Sequence, residues 1–231
     1  MITVLLALSS PFASGAEPEA PTSAIVAAGN GLVAAPPEGF VAPTDMSSTW
    51  VSVLGDCLEE ARAGAFSVVD RSKDGSGTEQ LAQDAAAIRE LAPSAVVLTV
   101  GAAEMEEGAD PAAFATRLTG VVSTLRAGDG PGVLLVGIVA PTLWQLEWKG
   151  GEDVAARQAA IDARTAEWND ALAKVAAADD GVWMVDLGWP SEKGARQRLT
   201  RGGWALTDRA HARIGAVICE ELLKNLKNGA K

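Results

Sequence analysis

Short apolar runs alternate with segments of helical period along nearly the whole chain. Residues 23–28 read SAIVAA, a first buried strand. Residues 47–63 place Trp50, Val53, Leu54, Cys57, Leu58 and Ala61 on one helical face, with Ser48 or Thr49 where an N-cap belongs. Residues 66–69 form a second strand, followed by a polar, glycine-containing loop over 70–77. Residues 78–91 have helical period and stop before Pro93. Residues 95–100 (AVVLTV) are a third strand, apolar on both faces. Residues 111–126 are a helix with Asp110 as N-cap and Pro111 at its first position. A fourth strand over 133–139 is ended by Pro141, a long helix covers 153–178, and a fifth strand covers 182–187. The closing helix, 207–226, has Thr207 as its cap.

Strands that are apolar on both faces, each followed by a helix, imply a parallel sheet covered on both sides. Right-handed crossovers then favour a three-layer α/β fold: a doubly wound, five-stranded, flavodoxin-like parallel sheet. Ligands in such sheets sit at the carboxyl ends of the strands. The loops at 29–32, 70–77, 101–108, 142–152 and 188–206 are therefore the ones to read for chemistry.

Composition narrows the partners. The 231 residues carry a formal net charge of -11, which disfavours nucleic acid and anionic membrane surfaces. Residues 1–16 read as a short signal peptide, with an apolar run and a small-residue end but no positive start. Residues 17–22 (EPEAPT) read as a linker, and 23–227 as a single domain. The expected location is secreted or periplasmic, or cytoplasmic if no signal operates. The apolar run is too short to span a bilayer, which takes about ~20 residues. Cys57 and Cys219 each fall in a helix, either as separate buried thiols or as a disulfide. With His211 as the single histidine, no metal site has ligand spacing, and no cofactor is expected.

The strand ends carry the chemistry. The first runs into Gly29-Asn30-Gly31-Leu32, and the second into a loop with Gly75, Ser76 and Thr78. The third runs into Gly101-Ala102-Ala103-Glu104. The last block reads Gly202-Gly203-Trp204-Ala205-Leu206-Thr207 before the closing helix. In this order the blocks resemble those of the SGNH (GDSL-like) hydrolases. The resemblance implies the SGNH fold and, in an active member, ester hydrolysis. It places Gly31 at the nucleophilic serine, Ala103 at the oxyanion-hole asparagine, Gly202 at the aspartate and Ala205 at the histidine. Gly75 matches the glycine that offers a backbone N–H to the oxyanion. Glycine cannot attack a carbonyl, and alanine can neither donate a hydrogen bond nor accept a proton. A binding or scaffold protein with a disarmed cleft is the expectation.

Residues 208–211 also spell Asp-x-x-His, the family spacing. In the preferred register Asp208 is instead a first-turn acid, and His211 a helix residue facing sheet or solvent. A relocated catalytic set would draw on Ser72, Ser76 or Thr78, with Asp208 or His211 assisting. For binding, the candidates are Asn30, Arg71, Glu104, Trp144, Trp148 and Trp204, facing a small-molecule, glycan, acyl or peptide ligand. Local packing of the tryptophans is the alternative. Glu147, Lys149, Arg196, Arg198 and Arg201 put charges near the same edge, either to hold a carboxylate or phosphate or as solvated surface.

Overall fold

A computed structural model describes residues 23–29, 49–72, 77–143, 153–201 and 205–228. The chain runs through β1 (Ser23–Gly29), α1 (Trp50–Ala61), β2 (Phe66–Ser72), α2 (Thr78–Glu90), β3 (Ala95–Thr99), α3 (Ala102–Glu106) and α4 (Pro111–Arg126). It continues through β4 (Gly132–Val136), α5 (Val154–Ala176), β5 (Val182–Val185), α6 (Lys193–Gln197), β6 (Thr200–Arg201), β7 (Ala205–Leu206) and α7 (Asp208–Asn228). The central sheet has five strands in the order β2-β1-β3-β4-β5, all parallel. The expected flavodoxin-like α/β sheet is the one observed. Its strand order reverses between β1 and β3, the place where open α/β sheets bind ligands.

Alternation along each strand builds two cores. Val26, Ala28, Val96, Leu98, Val133 and Leu135 face α2, α4 and α5, against Leu81, Ile88, Phe114, Leu118, Trp168 and Leu172. Ile25, Ala27, Val97, Leu134 and Val136 face α1 and α7, against Trp50, Leu54, Leu58, Ile214, Ile218 and Leu222. Each strand residue thus points opposite to its neighbour, and a strand buried on both faces must be apolar at every position.

The helix starts follow side-chain chemistry. Thr49 and Ser52 form a capping box at α1. Asp110 accepts from the amides of Ala112 and Ala113 at α4, with Pro111 in the first turn. Asp153 does the same for Ala155 and Ala156 at α5. Thr207 Oγ1 accepts the Ala210 amide at α7.

Several expected boundaries shift. β2 runs on to Ser72, because residues 70–72 pair in register with 27–29 of β1 although their side chains are polar and exposed. β4 and β5 end earlier than the apolar runs, at Val136 and Val185. Apolarity continues past them because residues such as Ile138, Val139 and Leu187 stay buried without ladder partners. The loops expected at 101–108 and 188–206 contain the short helices α3 and α6 and the β6–β7 hairpin. Elements of five and two residues are too short to leave a period in the sequence.

Cys57 and Cys219 are joined, with Cα atoms 6.3 Å apart. The bridge fastens α1 to α7 on one face of the sheet. No helix among the described residues is long and apolar enough to cross a membrane.

Candidate functional site at the carboxyl edge

The last rung of the sheet reads Ser72, Gly29, Thr99, Val136, Val185 across the five strands. Gly29 is held at φ +118, and a Cβ there would stand 2.0 Å from the Thr99 carbonyl oxygen. A side chain is excluded on both counts, so β1 ends on a residue that must be glycine. Thr99 is buried, and its hydroxyl donates to the Ala28 carbonyl at 3.4 Å. This lashes the ends of β1 and β3 together at the switch point.

Beyond β3 the chain turns through Gly101 at φ +99, where a Cβ would press on Ile138 and Phe114. The turn opens α3, which presents Ala103 half-buried and Glu104 buried. Glu104 reaches across to the start of α2, where the Thr78 N–H donates to Oε1 at 2.6 Å. A Cβ on Gly77 would meet that same oxygen at 2.7 Å, so the glycine makes room for the carboxylate. The N-terminal end of α2 is thus already occupied by a carboxyl group of the chain itself. Oε2 is buried with no hydrogen-bond partner. Arg117 of α4 donates to the Thr78 hydroxyl at 3.4 Å and brings a positive charge to the same corner. Thr78 itself is 1% exposed, a poor position for a nucleophile that must meet substrate.

Ala205 lies in β7, paired with Arg201 of β6. Past it, Thr207 caps α7, and Asp208 stands exposed in the first turn. His211 is buried, and its Nδ1 accepts the N–H of Trp50, the first residue of α1, at 3.2 Å. It faces α1, then, and not the sheet or solvent. An amide left open at the start of one helix is satisfied by a ring nitrogen from another. An Nδ1 that accepts carries no proton, so the neutral ring bears its proton on Nε2. Burial holds this imidazole below its usual pKa, with the Asp208 charge opposing.

Arg196 is another correction. It is buried and not at the solvated edge, because its guanidinium forks onto Asp162 at 2.6 and 3.1 Å and donates to the Pro190 carbonyl at 2.7 Å. Asp162 belongs to a polar stripe on α5 with Gln158, Thr165 and Asn169. Gln158 donates to the Pro141 carbonyl and to Asp162, and accepts the Leu143 amide. Asn169 accepts the Ile138 amide and donates to the Ile138 carbonyl, taking the place of a neighbouring strand where β4 has ended. Asp162, Thr165 and Asn169 of the stripe, with Trp189 and Asp186, border a cavity of about 200 Å³ at the ends of β4 and β5. The indole N–H of Trp189 is buried without a partner.

Of the candidate positions, Ala103, Ala205, Asp208, His211, Arg71, Glu104, Ser72 and Thr78 are described, and the structure joins Glu104 to Thr78. Arg71 is exposed at the end of the edge strand β2. Asn30, Gly31, Gly75, Ser76, Trp144, Trp148, Gly202 and Trp204 lie outside the described residues, as do Glu147 and Lys149 and the segments 1–16 and 17–22. The sequence reading missed the α5 stripe. Its signal was polar residues at 158, 162, 165 and 169, a helical repeat on an inward face.

Comparison with known proteins agrees with this fold. The model of the GDSL-like Lipase/Acylhydrolase family matches residues 33–213. No curated protein is similar to the chain in sequence. Among solved structures, the esterase EstA from Pseudoalteromonas sp., inhibited by monoethylphosphonate, superposes with a TM-score of 0.63 at 17% identity, covering 89% of this chain and 100% of that one. TesA gives 0.61 at 21% identity, covering 89% and 98%. The lipase/acylhydrolase from Enterococcus faecalis gives 0.59 at 18% identity, covering 87% and 95%. At these identities the likeness is one of fold.

Proposed function

Because the chain belongs to the GDSL-like lipase/acylhydrolase family, we propose that it is a member whose cleft binds a ligand and does not hydrolyse it. One observation carries the reading: Gly31 stands where the family has its nucleophilic serine. The register is that of the motif, Gly29-Asn30-Gly31-Leu32 read against Gly-Asp-Ser-Leu, and it is supported by Gly29 being the last residue of β1 at the switch point. Two residues further on there is no hydroxyl to form an acyl-enzyme. Ala103, Gly202 and Ala205 extend the loss to the oxyanion donor, the orienting acid and the base. Removing one oxyanion donor alone costs on the order of ~3–4 kcal/mol in the transition state.

The ligand is a glycan, acyl chain or peptide held at the carboxyl edge. Asn30, Arg71, Trp144, Trp148 and Trp204 are the candidate contacts. Aromatic side chains offer flat apolar faces for sugar rings or acyl chains. In this reading 23–227 is the binding domain, and 1–16 directs export. The Cys57–Cys219 bridge supports an oxidising compartment, since disulfides rarely persist in reducing cytosol.

The test is hydrolysis of short-chain p-nitrophenyl esters by the purified chain from Glu17 onward, beside Ser76→Ala and His211→Ala. The rate should not rise above buffer for any of them. A rate that either substitution removes would replace this reading with an esterase whose catalytic set has moved.

A further inference from the structure

We propose that a second site, between α6 and α7, binds a phosphate monoester. A cavity of about 300 Å³ is lined there by Pro190, Ala195, Arg198, Leu199, Arg209 and Arg213. Half of this lining is arginine, and none of it is acidic. In a chain of net charge -11, such a concentration of positive charge needs a reason. None of these residues belongs to the β1–β3 edge; Pro190, Ala195, Arg198 and Leu199 lie in the 188–206 segment after β5, and Arg209 and Arg213 on α7.

Arg209 and Arg213 lie one turn apart on α7, which places like charges side by side and destabilises an isolated helix. Arg198, at the C-cap of α6, adds a third. Arg213 is anchored by donating to the carbonyls of Leu187 (3.3 Å) and Gly188 (2.8 Å), just after β5. The guanidinium groups of Arg198 and Arg209 have no carboxylate partner among the described residues, and both side chains are exposed. Asp208 and His211 share the adjoining face of α7, where the Asp208 charge acts on the imidazole.

Guanidinium forks match the oxygens of a phosphate in two-pronged pairs. A phosphate monoester brings about 1.5 to 2 negative charges at neutral pH, enough to offset the repulsion among these arginines. The volume suits a small ligand. Pro190, Ala195 and Leu199 give an apolar wall for the carbon portion of the ester.

The experiment titrates the full chain with glycerol 3-phosphate by calorimetry at constant ionic strength, and with vesicles containing phosphatidate by co-sedimentation. Saturable binding in either arm supports the site. Binding of the soluble ester assigns a free metabolite, and binding of the vesicles alone assigns a lipid headgroup. Arg198→Gln with Arg209→Gln should weaken binding by about tenfold or more, a loss of ~1.4 kcal/mol. Arg213 is left in place because it carries bonds to the backbone. Arg62→Gln with Lys227→Gln removes the same charge elsewhere and should leave binding unchanged. No saturable binding in either arm, or equal losses in the two double variants, overturns the proposal.

Discussion

His211 illustrates how one hydrogen bond sets what a residue can do. With Nδ1 accepting from Trp50, the remaining ring nitrogen is a donor, which is the wrong state for taking a proton from a nucleophile. The same bond makes folding depend on pH. Burial depresses the His211 pKa in the folded chain, so the unfolded chain takes up a proton first as pH falls. The contribution is complete above the unfolded value of 6.5 and is lost as pH drops from there toward the lower folded value. The melting temperature should therefore fall between pH 7.5 and pH 5 (~6.5 is the ordinary midpoint), and His211→Gln should remove that part of the fall. An unchanged pH profile in the variant would show that the imidazole is not the group responsible. Glu104 teaches a related lesson. Its sequence position suggested a binding carboxylate, but Oε1 is engaged by the first amide of α2.

Among the elements, α1 and α7 form the half of the molecule in which contacts span the greatest sequence distance. They share the core with Trp50, Leu54, Ile214 and Ile218, the His211 bond, and the Cys57–Cys219 bridge across a separation of 162 residues. A Cβ on Gly215 would come within 2.7 Å of Val53, so the two helices approach closely at that point. Closing so long a loop should stabilise the fold by about 2–5 kcal/mol. Urea unfolding of Cys57→Ser with Cys219→Ser should show a lower midpoint and a somewhat steeper slope, because the unfolded chain without the crosslink is more expanded, and far-UV circular dichroism of the native state should be retained. An unchanged midpoint would mean that packing alone fixes the helix pair. On the other face, α5 stays in place partly through polar contacts: Gln158, Asp162 and Asn169 tie it to the segments leaving β4 and β5.

On the scale of the whole molecule, the family fold is retained, and in the proposed function the residues that would perform its chemistry are replaced at several stations. The stations are coupled in function, since a nucleophile without a base or oxyanion donor gains little. Gly31→Ser alone should leave p-nitrophenyl ester hydrolysis at the buffer rate. Measurable turnover from that single change would show that the other groups are already in place and would sink the disarmed-cleft reading. The architecture was legible in the linear pattern. The β-strands 95–99 and 132–136, apolar at consecutive positions, announced a sheet covered on both faces, and Asp110-Pro111 marked the start of α4. That residue 31 is a glycine is likewise read directly from the sequence, and its place at the nucleophile station belongs to the proposed function. Tertiary structure decided what periodicity cannot express: which nitrogen of His211 is occupied, that Arg196 is buried against Asp162, that Cys57 meets Cys219, and that arginines 198, 209 and 213 share one cavity. Period and composition record how each residue relates to water and to its near neighbours. Charge pairing, tautomer and pocket depend on groups that only the folded backbone brings together.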